Sequence, residues 1–223
     1  MFFYVESAGF INCLPSMIPA HPLPSPPGQL FDVLQRHARL QPDTVACASR
    51  FRHASYRKLY SRIERATARL QGEWHVKPGD VLAYCGHGHP DALVLYVALA
   101  RCGAVLLPLE HGGGDQALAA SAAVLALFDD EIAPPRAAPA AHPLSRLIGE
   151  HCPFQASATA PDPAACSLLR LEGDGSLRPY SLAQMSAAPA SGAAEVHGAL
   201  FDAGVFEQVV LPTLLAGATL SWA

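Results

Sequence analysis

The chain has 223 residues, of which 51% are hydrophobic and 15% charged, with a formal net charge of −4. That balance excludes a disordered chain and gives no electrostatic basis for binding nucleic acid or an anionic membrane. No apolar run approaches the roughly 20 residues needed to cross a bilayer. The six cysteines show no C-x-x-C pair or zinc spacing, so they read as thiols of a reduced, cytoplasmic protein.

Residues 1–29 read as an N-terminal extension, because Pro15, Pro19, Pro22, Pro24, Pro26 and Pro27 each remove a backbone donor and fix φ. The start lacks a basic n-region and carries Glu6, so no secretory leader is predicted. An α/β region is expected over 30–132. Its first helix spans 30–40, with Leu30, Phe31, Val33, Leu34 and Ala38 on one face, and ends before Pro42. A short buried strand follows at 44–48. The second helix is predicted over 55–70, with Tyr56, Leu59, Tyr60, Ile63, Thr67 and Leu70 at helical spacing and Ser55 as cap. The Pro78-Gly79 turn leads into a strand at 81–85. A helix at 90–101 with proline in its first turn and a strand at 104–109 complete a β-α-β unit, and hence a parallel sheet. A third helix over 115–123 and a strand over 123–128 are expected next. Residues 133–165, rich in alanine and proline, read as an irregular segment. Regular structure resumes over 166–223, with a helix at 206–215 and a closing strand at 218–220.

Three stretches together resemble the adenylate-forming superfamily, which holds acyl-CoA synthetases and the adenylation domains of nonribosomal peptide synthetases. They are LFDVLQRHARLQPDTVACASRFRHASYRKLYSRIERATARL from residue 30, VKPGDVLAYCGHGHPDALVLYVALARCGAVLLPLE from residue 76, and LFDAGVFEQVVLPTLLAGATL from residue 200. The first two imply the fold of the family's N-terminal subdomain. The third is similar to the segment of amino-acid-activating domains. The resemblance implies attack of a carboxylate on the α-phosphate of ATP, with ATP and magnesium as cofactors and a carboxylic or amino acid as substrate. It also implies that Asp202 pairs with the substrate's α-ammonium group, an arrangement that offsets desolvation of both charges. The plain alternative is that Asp202 caps the helix after it.

In this family a glycine- and hydroxyl-rich loop ending in a lysine helps to hold the phosphates. The matching place here is Glu172-Gly173-Asp174-Gly175-Ser176-Leu177-Arg178-Pro179. Gly173 and Gly175 keep the freedom that turns amides toward an anion, Ser176 offers a donor, and Arg178 falls near the lysine's place. Glu172 and Asp174 replace uncharged residues. Beside a triphosphate each would repel a phosphate charge by roughly 4 kcal/mol at 4 Å and an effective dielectric of 20. The loop is therefore a degenerate remnant, and an acidic turn between strands is the simpler description. His87 and His89 form a His-x-His pair, and His111 follows the next strand, but no third ligand has metal spacing, so a polar loop is expected.

Segments that the family uses for adenine, ribose and its catalytic lysine have no counterpart in this sequence, and no catalytic residue is assigned. The end of the sequence, just after the strand at 218–220, is expected to leave a sheet edge unpaired and apolar faces uncovered, with a protein partner to cover them. Two functions follow: a ligase that is inactive alone, or a non-catalytic binding or assembly module or truncated remnant of one.

Overall fold

The computed structural model describes residues 30–49, 53–109, 114–149, 151–157, 162, 164–185, 192–197 and 199–222. The extension at 1–29 and His111 lie outside them. Helix α1 (Leu30–Leu40) buries Leu30, Val33 and Leu34, as its apolar spacing requires. The hairpin β1 (Val45–Ala48) and β2 (His53–Ser55) leads into α2 (Tyr56–Gly72), where the Ser55 hydroxyl accepts from the Lys58 amide at 3.4 Å. Strand β3 (Val81–Cys85), helix α3 (Pro90–Cys102) and strand β4 (Val105–Leu109) form the expected β-α-β unit. Gly103 ends α3 in the left-handed conformation, φ 70°, where a side chain would be strained.

Helix α4 (Gly114–Ala120) and strand β5 (Leu125–Phe128) follow. The interval predicted to be irregular then holds strand β6 (Ala141–Pro143) and helix α5 (Leu144–Ile148). Both are too short for periodicity to register. Leu144 and Leu147 are nonetheless core residues, and Arg69 of α2 fastens the helix end by donating to the carbonyls of Arg146, Leu147 and His151. Strands β7 (Cys166–Leu171) and β8 (Leu177–Ser181) make a hairpin, followed by α6 (Leu182–Met185) and β9 (Ala194–Val196).

The last expected helix is three pieces: α7 (Ala203–Val205), a π-helical turn (Phe206–Val210) and α8 (Leu211–Ala216). Pro212 lacks the amide that would continue α-helical bonding, and the Leu211 amide reaches back to the Phe206 carbonyl instead. Strand β10 (Leu220–Trp222) follows.

The larger sheet has the order β6-β5-β3-β4-β7-β8, parallel except for the antiparallel β7–β8 pair. A second sheet, not foreseen in the sequence, has the order β2-β1-β10-β9. Strand β10 is parallel to both β1 and β9. Strand β10 is therefore not an edge itself: it lies between those two, and β9 is the outer strand on that side among the described residues. The exposed large hydrophobics Leu40, Val124, Phe154 and Leu171 are far apart in the sequence. Helix α3 is apolar almost all round and buried from Ala92 to Ala100, as a helix sandwiched between layers must be.

Phe206 is fully buried and meets Tyr96 of α3 edge-on, with ring centroids 4.8 Å apart. Phe206→Ala is expected to lower the unfolding free energy in urea by about 3–5 kcal/mol, from lost transfer energy and the cavity left behind. Leu40→Ala, at a position 76% exposed, should change it by less than about 0.5 kcal/mol. Equal effects would contradict this packing.

Candidate functional site

The parallel strands β3, β4 and β7 run the same way, so their C-terminal ends share one rim, the place where ligands bind in open α/β sheets. A cavity of about 360 Å³ lies there. Tyr84 of β3 and Gly86, His87 and Gly88 just after it line the cavity, with Pro108 and Leu109 from β4, Arg170 to Gly173 from the end of β7, and residues 199–202 from the turn before α7.

One buried charge shapes this rim. Asp129, just beyond β5, is 1% exposed. It accepts the Tyr84 hydroxyl at 2.7 Å and the His87 amide at 2.8 Å, and its Oδ1 lies 3.2 Å from His89 Nε2. His89 also caps α3, because its Nδ1 accepts the Asp91 amide at 3.2 Å. This pair of contacts fits the neutral tautomer with the proton on Nε2. On protonation Nδ1 would instead face the Asp91 carboxylate, 3.7 Å away. Burial opposes ionisation of Asp129, but the bonds from His89, the His87 amide and Tyr84 hold its carboxyl below the ordinary value. The bond to Asp129 raises the His89 pKa, against the desolvation that lowers it. Burial, then the Asp129 charge, pushes the Tyr84 phenol up.

The loop between β3 and α3 has little freedom. A side chain at Gly86 would overlap the Tyr84 hydroxyl and Asp129. Gly88 has φ 73°, and a Cβ there would lie 2.7 Å from the Leu200 Cβ. The Gly88 carbonyl accepts the Trp222 indole at 3.2 Å, which ties the loop to β10. The His-x-His pair thus serves Asp129: His89 through its ring, His87 through its backbone.

Of the residues singled out in the sequence, the fold brings Asp202, Gly173, Glu172 and His87 to this cavity. Gly175, Ser176 and Arg178 are elsewhere. Gly175, φ 82°, closes the β7–β8 turn and donates to the Glu172 carbonyl at 2.9 Å. The Ser176 amide donates to the Asp174 carboxylate at 2.9 Å, and the Glu172 amide donates to the Ser176 carbonyl at 2.9 Å. Arg178 stands opposite Arg170 in the ladder, with its guanidinium 5.6 Å from the Tyr180 ring. Leu171 pairs with Leu177, so five residues complete a tight turn whose amides largely bond within it.

Asp202 is exposed, and its carbonyl accepts the amides of Val205 and Phe206 at 3.0 and 2.7 Å. Its backbone therefore starts the helix, and among the described residues its carboxylate makes no hydrogen bond or ion pair. Arg170 and Glu207 were not singled out in the sequence. They pair at 2.6 Å with side chains 11% and 19% exposed, and Arg170 Nε donates to the Phe201 carbonyl at 3.0 Å. This strut holds the 199–202 turn against β7. A lone arginine in an apolar strand facing a glutamate 37 residues later gives no periodic signal.

Fold and rim together define an α/β domain with a ligand-sized cavity at the C-terminal ends of its parallel strands. Residues 34–149 match the family described as AMP-binding enzyme, and the chain belongs to that family. A feruloyl-CoA synthase from Amycolatopsis sp. is 36% identical over 119 residues, covering 50% of this chain and 23% of that protein. A D-alanine–D-alanyl carrier protein ligase from Bacillus licheniformis is 29% identical over 82 residues, or 37% of this chain and 16% of the other. The chain thus spans less than a quarter of these relatives' length. Among solved structures, the N-terminal subdomain of Klebsiella oxytoca NpsA, in complex with 3-hydroxyanthranilyl-AMSN, superposes with a TM-score of 0.71 at 20% identity, covering 86% of this chain and 53% of that one. The O-succinylbenzoate coenzyme A synthetase of Bacillus subtilis gives 0.73 at 13% identity, covering 85% and 43%. These structural likenesses establish the fold.

The raised His89 pKa has a measurable consequence. The stabilisation it contributes is complete below about pH 6.5, the unfolded value, and is lost as pH rises through the higher folded value. Burial lowers the pKa of His37 and His142, which act in the opposite sense, so the comparison must be differential. The stability advantage of the wild type over His89→Gln in urea is expected to shrink as pH rises from 6 to 9. An advantage that grows over that range would contradict the Asp129 contact.

Proposed function

We propose that this chain is an adenylate-forming ligase-like protein, related to enzymes that activate carboxylic or amino acids, and that it does not catalyse adenylation by itself. The cavity at the C-terminal rim is its substrate pocket. Asp202 is the anchor, presenting its carboxylate to the ammonium group of an amino-acid ligand. The observation that carries the assignment is the convergence of Asp202 and Gly173, 29 residues apart in sequence, on one cavity at that rim. The feruloyl-CoA and D-alanine ligases among its relatives take an aryl acid and an amino acid, which supports a small carboxylic or amino acid as the ancestral substrate class.

Inactivity in isolation rests on the β7–β8 turn. ATP with its magnesium would have to approach Glu172 and Asp174. The amides of Glu172, Gly175 and Ser176, which would otherwise stabilise charge on departing pyrophosphate, are bonded within the turn. Arg178 sits on β8 outside the cavity lining. The non-catalytic reading, a binding module built on a ligase fold, follows from the same turn.

ATP–pyrophosphate exchange with pooled amino acids, then pooled fatty and aromatic acids, is expected to stay at background in protein shown by circular dichroism to be folded. Exchange that falls in Asp202→Ala would show that the turn still holds phosphates and would overturn the inactivity. Amino-acid binding by calorimetry should weaken at least tenfold in Asp202→Ala, and an unchanged affinity would remove Asp202 from the site.

A further inference from the structure

We propose that Arg170 receives the carboxylate of the rim-cavity ligand, beside the ammonium site at Asp202, so that the cavity takes a free α-amino acid as its zwitterion. The inference rests on the reading of the cavity as the ligand pocket. It goes further by assigning the second charged end of the ligand to a residue outside both the Asp202 turn and the phosphate-loop remnant.

Among the described residues, the lining carries both signs: Arg170 and His87 on one side, Glu172 and Asp202 on the other. Arg170 has a nitrogen left over. Its Nη1 lies 2.6 Å from Glu207, and its Nε donates to the Phe201 carbonyl at 3.0 Å. Its Nη2 is buried and has no acceptor among the described residues. Glu207 does not close on that nitrogen, since the glutamate's Oε2 is likewise buried and unpartnered. A buried donor without an acceptor is costly, and a charged hydrogen bond to a carboxylate removes that cost. Because Arg170 lines the cavity, a ligand carboxylate is placed to supply the acceptor. Gly173 lines the same cavity, and its amide makes no hydrogen bond among the described residues, unlike those of Glu172, Gly175 and Ser176. A Cβ at Gly173 would meet nothing within 4 Å, so its backbone is open to approach. The two free donors offer one partner to each oxygen of a carboxylate.

The placement of the charges fits this ligand class. The two charges of an α-amino acid share one carbon, so the groups that receive them must be neighbours. The bond from Nε to the Phe201 carbonyl sets the guanidinium beside the residue that precedes Asp202. A bare amine would leave Nη2 unfilled. A bare carboxylate would leave Asp202 unpaired and would meet Glu172, which holds only the Tyr180 hydroxyl at 3.4 Å. The zwitterion answers both, because its ammonium offsets the lining carboxylates. The side chain of the ligand meets an apolar wall. The Tyr84 hydroxyl donates to Asp129 and accepts the Gly88 amide at 3.1 Å, which leaves its ring to line the cavity with Pro108, Leu109, Leu200 and Phe201. A volume of about 360 Å³ is at the small end of ligand pockets and admits a one-ring or branched aliphatic side chain. A carboxylate held by a guanidinium and an amide is fastened rather than free to attack, which agrees with a chain that does not adenylate by itself.

The test is calorimetric titration of the full chain at low salt and neutral pH with two ligand sets: phenylalanine, 3-phenylpropionate and 2-phenylethylamine, then leucine, 4-methylpentanoate and isoamylamine. In at least one set the amino acid is expected to bind tenfold or more tightly than its acid or its amine. Arg170→Lys keeps a cation for Glu207 but has no second nitrogen to offer. It should weaken the amino acid at least tenfold and the amine by less than about twofold. Equal loss of both would mean that Arg170 only props the Asp202 turn, and would overturn the inference. Glu207→Gln keeps an acceptor for Nη1 and removes the charge that offsets the guanidinium, so it should strengthen binding of the plain acid several-fold. No gain there would also overturn the inference, even where Arg170→Lys does not fold. An amino acid that binds no tighter than its amine would remove the carboxylate site and leave the Asp202 contact standing. Binding of none of the six ligands would overturn both the inference and the pocket.

Discussion

A carboxylate withdrawn from water is costly by several kcal/mol unless its lone pairs are filled and its charge is met. Asp129 meets that demand with a phenol, a backbone amide and an imidazole, all from the segment Tyr84–His89. To reach it, the chain after β3 must fold back tightly, which forbids a side chain at Gly86 and requires the left-handed turn at Gly88. That turn then packs on Leu200 and accepts the Trp222 indole. The end of β3, the start of α3, the turn bearing Asp202 and the smaller sheet are thus all referred to one buried group on β5's flank. Replacing it would loosen the cavity from behind, without touching its lining.

The family supplies a rim, and this chain's own side chains give the rim its charge. A fold of this class uses oriented amides and cations where phosphates bind. Here Arg170, which lines the cavity, is paired with Glu207, and the amides of Glu172, Gly175 and Ser176 are bonded within their own turn. The Arg170–Glu207 pair has a mechanical role in exchange: through the Phe201 carbonyl it fixes the turn from which Asp202 projects.

Elements with strong local causes were legible in the sequence. The apolar stripes of α1 and α2, the Ser55 cap, Pro90 at the head of α3 and Gly103 at its end each act within a few residues, so their signals are intact in the chain. The resemblance added the cavity turn and Asp202. What was not legible depends on distant partners. Strands β6 and β9, three residues each, exist because of neighbours in their sheets. Helix α5 is held by Arg69 from 77 residues away. Asp129 is an ordinary acidic residue in the sequence, and only the fold puts it beneath the histidines. The phosphate-loop alignment placed Gly175, Ser176 and Arg178 at a site from which a tight hairpin turns them aside.

The interior place of β10 has a consequence for the order in which the molecule is assembled. Strand β1 pairs with β2 a few residues away on one side, and on the other with β10, where Cys47 faces Leu220 across most of the chain. The β3–α3–β4 unit closes over short intervals and forms without waiting for later residues. The smaller sheet carries the longest loop-closure entropy in the described fold and is completed last. During synthesis from the N-terminus, β1 therefore has one hydrogen-bonding edge open until residue 220 has emerged. Its brevity, four residues, limits what else that edge can recruit in the meantime.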